Sequence, residues 1–284
     1  MRNLRIVACC AVLTGIIAAP PVSAQATYVK DPRNWPTPVM DAEPPVLPRF
    51  TREQVVLVFS KTNGWRDDTQ IEAANAALQK IVRAKGWDGL VSENAAVFNP
   101  EALAGFDVIV LNSTSGNIFT DDQRAAFRQW LEKGGAVVAL HGAGGDPQYD
   151  WKWYVEVMIG AQFIGHTNKP QFPQGVIRIE DRDHPAMRGL PAEWRREEEW
   201  YAFDRVPSGY GTKILARLDE SSYDPPSGQR MGNHPIIWTR CIDRGRVFYS
   251  ALGHKAETYS EPLHLQMIDG ALSWAVQARS RGCD

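Results

Sequence analysis

The sequence predicts an α/β fold: a single open, mostly parallel sheet with helices on both faces and a strand-rich C-terminal half. Three observations carry this. Short apolar runs without polar interruption recur in the first half of the chain, as strands covered on both faces require. Stretches with helical apolar spacing separate them, and such alternation argues for a parallel sheet. Neither an internal repeat nor a second linker interrupts the pattern, so one domain spans about residues 51–278.

Residues 54–60 (QVVLVFS) form the first buried run. Over 71–85, Ile71, Ala74, Leu78, Ile81 and Val82 recur at helical spacing, and Gly86 ends the segment. A second buried strand is read at 106–112 (FDVIVLN). The next helix, 120–133, opens on a capping box of Thr120 and Gln123. It presents Ala126, Phe127, Trp130 and Leu131 on one face and stops at Gly134-Gly135. Ala136–Leu140 (AVVAL) is the third buried strand. Beyond Gly175 the reading becomes strand-rich, with runs at 176–179, 199–203, 214–218, 236–240 and 247–251. A last helix starts near Pro262 and runs to about 276, with Leu263, Met267, Ala271 and Trp274 along one face; residues 279–284 are a tail.

Two segments precede the domain. Arg2 and Arg5, the apolar stretch 6–19 and Val22-Ser23-Ala24 match the three regions of a secretory signal peptide, with cleavage expected after Ala24. The protein is therefore expected to be exported, periplasmic or secreted, and free of membrane attachment once the leader is removed. Residues 25–50 read as an arm. Pro32, Pro36, Pro38, Pro44, Pro45 and Pro48 preclude a regular hydrogen-bond ladder, which leaves a spacer or a strap over the surface.

Composition narrows the function classes. The chain has 284 residues, 44% of them hydrophobic, and 31 basic against 33 acidic side chains, which disfavours disorder and nucleic-acid binding. Losing two arginines and no acid with the leader takes the net charge from −2 to −4. Of the four cysteines, Cys241 and Cys283 remain. They either bridge the tail to a strand or stand as one buried and one loose thiol, and spacing does not decide.

In an open parallel sheet, ligands bind beyond the carboxyl ends of the strands. Four of those ends carry polar residues beside glycines: Lys61 before Gly64, Asn112 before Gly116, His141 before Gly142 with Asp146 following, and His254 after Gly253. The glycine-rich run 141–146 lacks the spacing of a dinucleotide fingerprint and the lysine and threonine of a P-loop, so no nucleotide cofactor is expected. Gly-x-Ser-x-Gly and His-Glu-x-x-His are absent, and neither Cys241 nor Cys283 follows a strand at a turn into a helix. A divalent metal would be assembled from dispersed histidines, with His141, His166 and His254 the candidates. Aromatic residues fall near the same ends: Trp151 and Trp153, Trp200 and Tyr201 beside Glu198 and Glu199, and Trp238 after His234. Flat rings beside carboxylates and imidazoles suit a sugar. Trp130 and Trp274 read as core.

These segments resemble the trehalose-utilisation (ThuA-like) family. The resemblance runs in order through Leu140-His141-Gly142-Ala143, Asp150-Trp151-Lys152-Trp153-Tyr154, Gly160-Ala161-Gln162-Phe163, Asp183-His184-Pro185 and Glu199-Trp200-Tyr201-Ala202-Phe203. It continues through His234-Pro235-Ile236-Ile237-Trp238, Gly245-Arg246-Val247-Phe248-Tyr249 and Gly253-His254, covering 54 to about 276. It implies a class I glutamine-amidotransferase-like fold with flavodoxin-like layering. In that fold a catalytic cysteine occupies the turn after a central strand. Here His141 stands in that region, so glutaminase chemistry is not expected. The chain departs from the family at Arg66-Asp67-Asp68, where relatives have a histidine after the arginine. It departs again at Glu198-Glu199, in place of Asp–Glu, and at Met267, in place of a histidine.

The resemblance implies sugar processing, extending to oxidised (3-keto) glycosides. The expected function is carbohydrate processing by general acid–base, optionally metal-assisted, chemistry in a hydrolase, lyase or isomerase. His141 and His254 are the expected proton carriers or metal ligands, and Glu199 the base or its orienter. Lys61, Asn112, Asp146, Trp153, Tyr201, His234 and Trp238 are the expected substrate contacts. The partner is a small-molecule carbohydrate, and an oligomer is left open. The alternative is a non-catalytic carbohydrate-binding or scaffold protein on the same fold.

Overall fold

The computed structural model describes residues 30–282. The expected leader and cleavage site, residues 25–29 of the arm and Cys283 lie outside the described residues.

The first half alternates as the sequence predicts: β1 (Val55–Phe59), α1 (Asp68–Ala84), β2 (Asp88–Ser92), the short α2 (Pro100–Leu103), β3 (Val108–Asn112), α3 (Asp121–Glu132) and β4 (Ala136–Leu140). Every residue of β1, β3 and β4 is buried, which is why these strands read as unbroken apolar runs. The α1 helix begins three residues earlier than its apolar spacing indicates, because the Asp67 side chain accepts from the Gln70 N–H and caps it. The α3 helix begins on the full capping box of Thr120 and Gln123.

The second half carries β5 (Phe163–His166), β6 (Gln174–Ile179), β7 (Glu193–Glu197), β8 (Tyr201–Phe203), β9 (Lys213–Asp219), β10 (His234–Ile242), β11 (Gly245–Ser250), α4 (Pro262–Ala275) and α5 (Ala278–Arg281). Nine strands form one sheet in the order β2-β1-β3-β4-β11-β10-β9-β6-β7. The five from β2 to β11 are mutually parallel, and the four that follow extend the sheet antiparallel. From β1 the chain moves through α1 to β2 on one side, and from β3 through α3 to β4 on the other. With right-handed crossovers, α1 and α3 fall on opposite faces.

Three features depart from the expected elements. β2 and β7 are the two sheet edges, only partly buried, and so lack an apolar run. Trp153–Ile159 is a π-helical turn. β5 and β8 form a separate antiparallel pair, and β8 starts at Tyr201, so Glu199 and Trp200 precede the strand rather than begin it.

The arm is a strap. Asp41 pairs with Lys61 at 2.7 Å, Val39 and Asn63 exchange hydrogen bonds, and Trp35 meets Trp65 edge-on at 5.7 Å. Cys241, on β10, is disulfide-bonded. Trp130 and Trp274 pack half-buried against the core, as expected of helix residues. No helix among the described residues is long and apolar enough to cross a membrane.

Candidate active site

The turn after β4 places His141 at φ +46, a left-handed backbone that costs a non-glycine residue energy and persists only where surrounding contacts enforce it. Here those contacts are specific. The His141 Nδ1 lies 2.9 Å from the Ala251 carbonyl, which can only accept, so Nδ1 carries the proton and Nε2 presents a lone pair. The Tyr201 hydroxyl donates to that Nε2 at 2.9 Å, and the two rings lie 4.5 Å apart. Gly145 makes this approach feasible, since a Cβ there would lie 2.4 Å from the Tyr201 ring.

The turn after β11 brings His254 to the same point. Its Nδ1 lies 3.1 Å from His141 Nε2 and 2.9 Å from Glu199 Oε2, and it donates to the carboxylate. Glu199 Oε2 is 3.6 Å from His141 Nε2. Its other oxygen accepts from Gln171 Nε2 at 2.8 Å and lies 3.1 Å from His166 Nδ1. His166 Nδ1 also faces the Thr167 carbonyl at 2.8 Å, so it is a donor too. That leaves Nε2 as the lone-pair nitrogen of a half-exposed ring lining a groove of about 770 Å³, together with Ile164, Pro170 and Gln229. One carboxylate thus joins three histidines from four separate chain segments.

Electrostatics sort these groups. Burial, reinforced by the neighbouring His254, pushes His141 down to about 4, so its ring is neutral. Burial pushes Glu199 up, but the His254 hydrogen bond and the nearby imidazoles outweigh it and hold the carboxyl at about 2. Burial also opposes charge on His254, yet the bond to Glu199 and the negative charges of Glu199, Glu198 and Asp67 raise it.

Beneath the cluster, Glu198 is fully buried. Its carboxylate accepts the backbone N–H groups of Glu199 (3.1 Å), His254 (3.2 Å) and Gly253 (3.0 Å), and pairs with Arg196 at 3.0 Å. It therefore ties the segment before β8 to the turn after β11. Residues 167–172 border the cluster. Thr167 Oγ1 donates to the Gln171 carbonyl, Gln171 reaches Glu199, and the Phe172 ring sits 5.2 Å from that of His254. Glu198, Gln171 and Phe172 escaped the sequence reading. Gln171 and Phe172 stand in no motif, and Glu198 was visible only as the neighbour of Glu199.

Of the expected substrate contacts, only Tyr201 joins this cluster. Lys61 is buried against Asp41 of the strap. Asn112 is wholly buried in a network with Gln70, Asn75 and the Ile71 carbonyl. Asp146 spends both oxygens on loop N–H groups, those of Gly116 and Gln148. His234 is locked between Glu220 and the Tyr201 carbonyl. Trp238 faces no crevice: it is 0% exposed and donates to the Ile159 carbonyl. Trp153 stacks on Trp151 at 5.1 Å, with Arg128 against its ring. Of the four tryptophans expected near the site, Trp200 and Trp238 are therefore core, while Trp151 and Trp153 pack half-buried against it.

Two further histidines are buried outside the cluster, and both are neutral in the fold. Burial drives His184 to about 4, against the opposing pull of Asp181 and helped by Lys213, Arg246 and Arg188. Burial also drives His264 well down, with Arg196 and His141 adding to it. Unfolding lets both bind protons below their ordinary value of about 6.5, so stability falls as the pH drops below it, for His184 down towards pH 4. Denaturant melts at pH 7, 6, 5 and 4.5 should show this loss, and His264→Leu should flatten the slope. An unchanged slope in His264→Leu would contradict neutral burial of that ring.

A mixed α/β sheet with a polar cluster at the carboxyl ends of β4 and β11 has the arrangement in which open sheets place their ligand sites. Residues 55–275 match the ThuA family, described as trehalose utilisation, and the chain belongs to that family. A solved ThuA-like protein from Bacteroides uniformis is 22% identical, with a TM-score of 0.68, over 81% of this chain and 95% of that one. A second, from Parabacteroides merdae, is 17% identical, with a TM-score of 0.59, over 82% of this chain and 92% of that one. At these identities the likeness is one of fold. A comparison with functionally curated proteins finds no match.

Proposed function

We propose that this is an exported carbohydrate-processing protein that acts on a glycoside, in particular its oxidised 3-keto form, at the cluster of His141, His166, Glu199 and His254. The observation that carries the reading is the sharing of Glu199. One oxygen orients His166 at the groove, and the other meets His141 and His254 behind it. A keto-sugar needs little more. A base removes the proton on the carbon between the carbonyl and the anomeric centre, the electron pair forms the new C=C bond, and the anomeric C–O bond breaks. The aglycone leaves with that bond's pair and takes up a proton. His166 Nε2 is the accessible base, oriented by Glu199. Membership of a trehalose-utilisation family supports a disaccharide as substrate.

The test expresses the chain from Met1, purifies the exported protein, expected to begin at Gln25, and offers it trehalose, other disaccharides and their 3-keto forms. Release of aglycone is expected from keto forms, with kcat reduced by about 10²-fold or more in His166→Ala while binding, read by tryptophan fluorescence, persists. Binding without product from any member would make the protein a non-catalytic carbohydrate binder. No binding at all would overturn the reading.

A further inference from the structure

We propose that His141, Glu199 and His254 form a mononuclear site for a divalent transition-metal ion of the zinc type. The proposal rests on the carbohydrate reading only in what the ion is for; the site itself rests on geometry. Three ligand atoms from three chain segments, His141 Nε2, His254 Nδ1 and Glu199 Oε2, converge on one point, and the ion would take the place of the proton that His254 Nδ1 donates to Glu199. Their separations are 3.1, 2.9 and 3.6 Å. Tetrahedral ligands about 2.0–2.1 Å from an ion lie roughly 3.3–3.4 Å from one another, so the three atoms already stand near the spacing an ion needs.

The surroundings are those of metal ligands. The His141 Nδ1–H donates to the Ala251 carbonyl, which fixes the tautomer that turns the Nε2 lone pair inward. The second oxygen of Glu199 is held by Gln171 and His166, leaving the first to face the imidazoles. Glu198 fixes the backbone of both Glu199 and His254. Two imidazole nitrogens and one carboxylate select a zinc-type ion over magnesium or calcium, which take oxygen ligands. Three protein ligands leave a position for substrate, the pattern of a catalytic rather than a structural site.

His166, grouped with the ligands on sequence grounds, falls outside the set. Its Nδ1 proton is directed to the Thr167 carbonyl and Glu199, and its lone pair belongs to the groove. Bound there, the ion would act as a Lewis acid on a sugar oxygen.

The test measures metal directly. Full-length protein stripped with a chelator and dialysed is titrated with zinc and, separately, with cobalt(II). One ion per chain is expected, together with a rise in Tm and the visible absorption of tetrahedral cobalt. All three should disappear in His254→Asn and His141→Ala and persist in His166→Ala, with circular dichroism checking that each variant folds. No binding to the stripped wild type, or equal binding in His141→Ala and His254→Asn, overturns the site. A bound ion without sugar turnover supports the site and counts against the carbohydrate reading. Sugar turnover undiminished after the ion is removed does the reverse.

Discussion

Glu198→Ala is expected to destabilise the protein by about 3–5 kcal/mol, the range for breaking a buried ion pair from one side. Arg196, itself almost fully buried, would lose the carboxylate 3.0 Å away and keep Glu261 and Thr258. The N–H groups of Glu199, Gly253 and His254 would lose their acceptor in the same step. Because those N–H groups carry the turn that aims His254, activity per folded molecule should fall as well. Glu198→Gln keeps one oxygen as an acceptor and should lose less of both. Denaturant titration with a parallel activity assay checks this. A loss under about 1 kcal/mol would show that water replaces the carboxylate, as happens at exposed pairs.

His141→Ala is expected to reduce turnover by about 10²–10⁴-fold while the fold persists. A companion variant separates chemistry from strain. At φ +46 glycine is at ease and alanine is not, so His141→Gly should be the more stable of the two by about 1–2 kcal/mol though equally inactive. Equal stability of the two variants would mean that the turn relaxes once the imidazole is gone. Full activity in either would remove His141 from the site.

The parts of the fold legible in sequence are those whose burial is uniform. β1, β3 and β4 are covered on both faces, so composition alone marks them, and α3 announces itself through the reciprocal cap of Thr120 and Gln123. The edge strands β2 and β7 hide because one side of each meets water; in β7, Glu193, Arg195 and Glu197 alternate with buried Trp194 and Arg196. The site divides similarly. His141 and His254 were visible because glycine-flanked polar residues at strand ends are a local signal, and Glu199 because it stood among aromatics. Its convergence with His166 was not visible, since it depends on how β5 pairs with β8, and no local pattern encodes that register. The tryptophans misled for a related reason: Trp200 and Trp238 occur beside polar residues in sequence, yet each is almost completely buried.

The division of the site between two sheets carries a consequence for folding. His141 and His254 follow neighbouring strands of the main sheet, whereas His166 and Tyr201 belong to the small β5–β8 pair, with Glu199 just ahead of it. The Glu199–His254 and His141–Tyr201 contacts close loops of more than fifty residues, and such long closures come late because their chain entropy is lost before any contact rewards it. A partly folded chain, even one with its parallel strands in place, would therefore hold half a cluster. The chain would acquire the whole cluster only at the final docking of the two sheets, so the assembled site is a signature of completed folding.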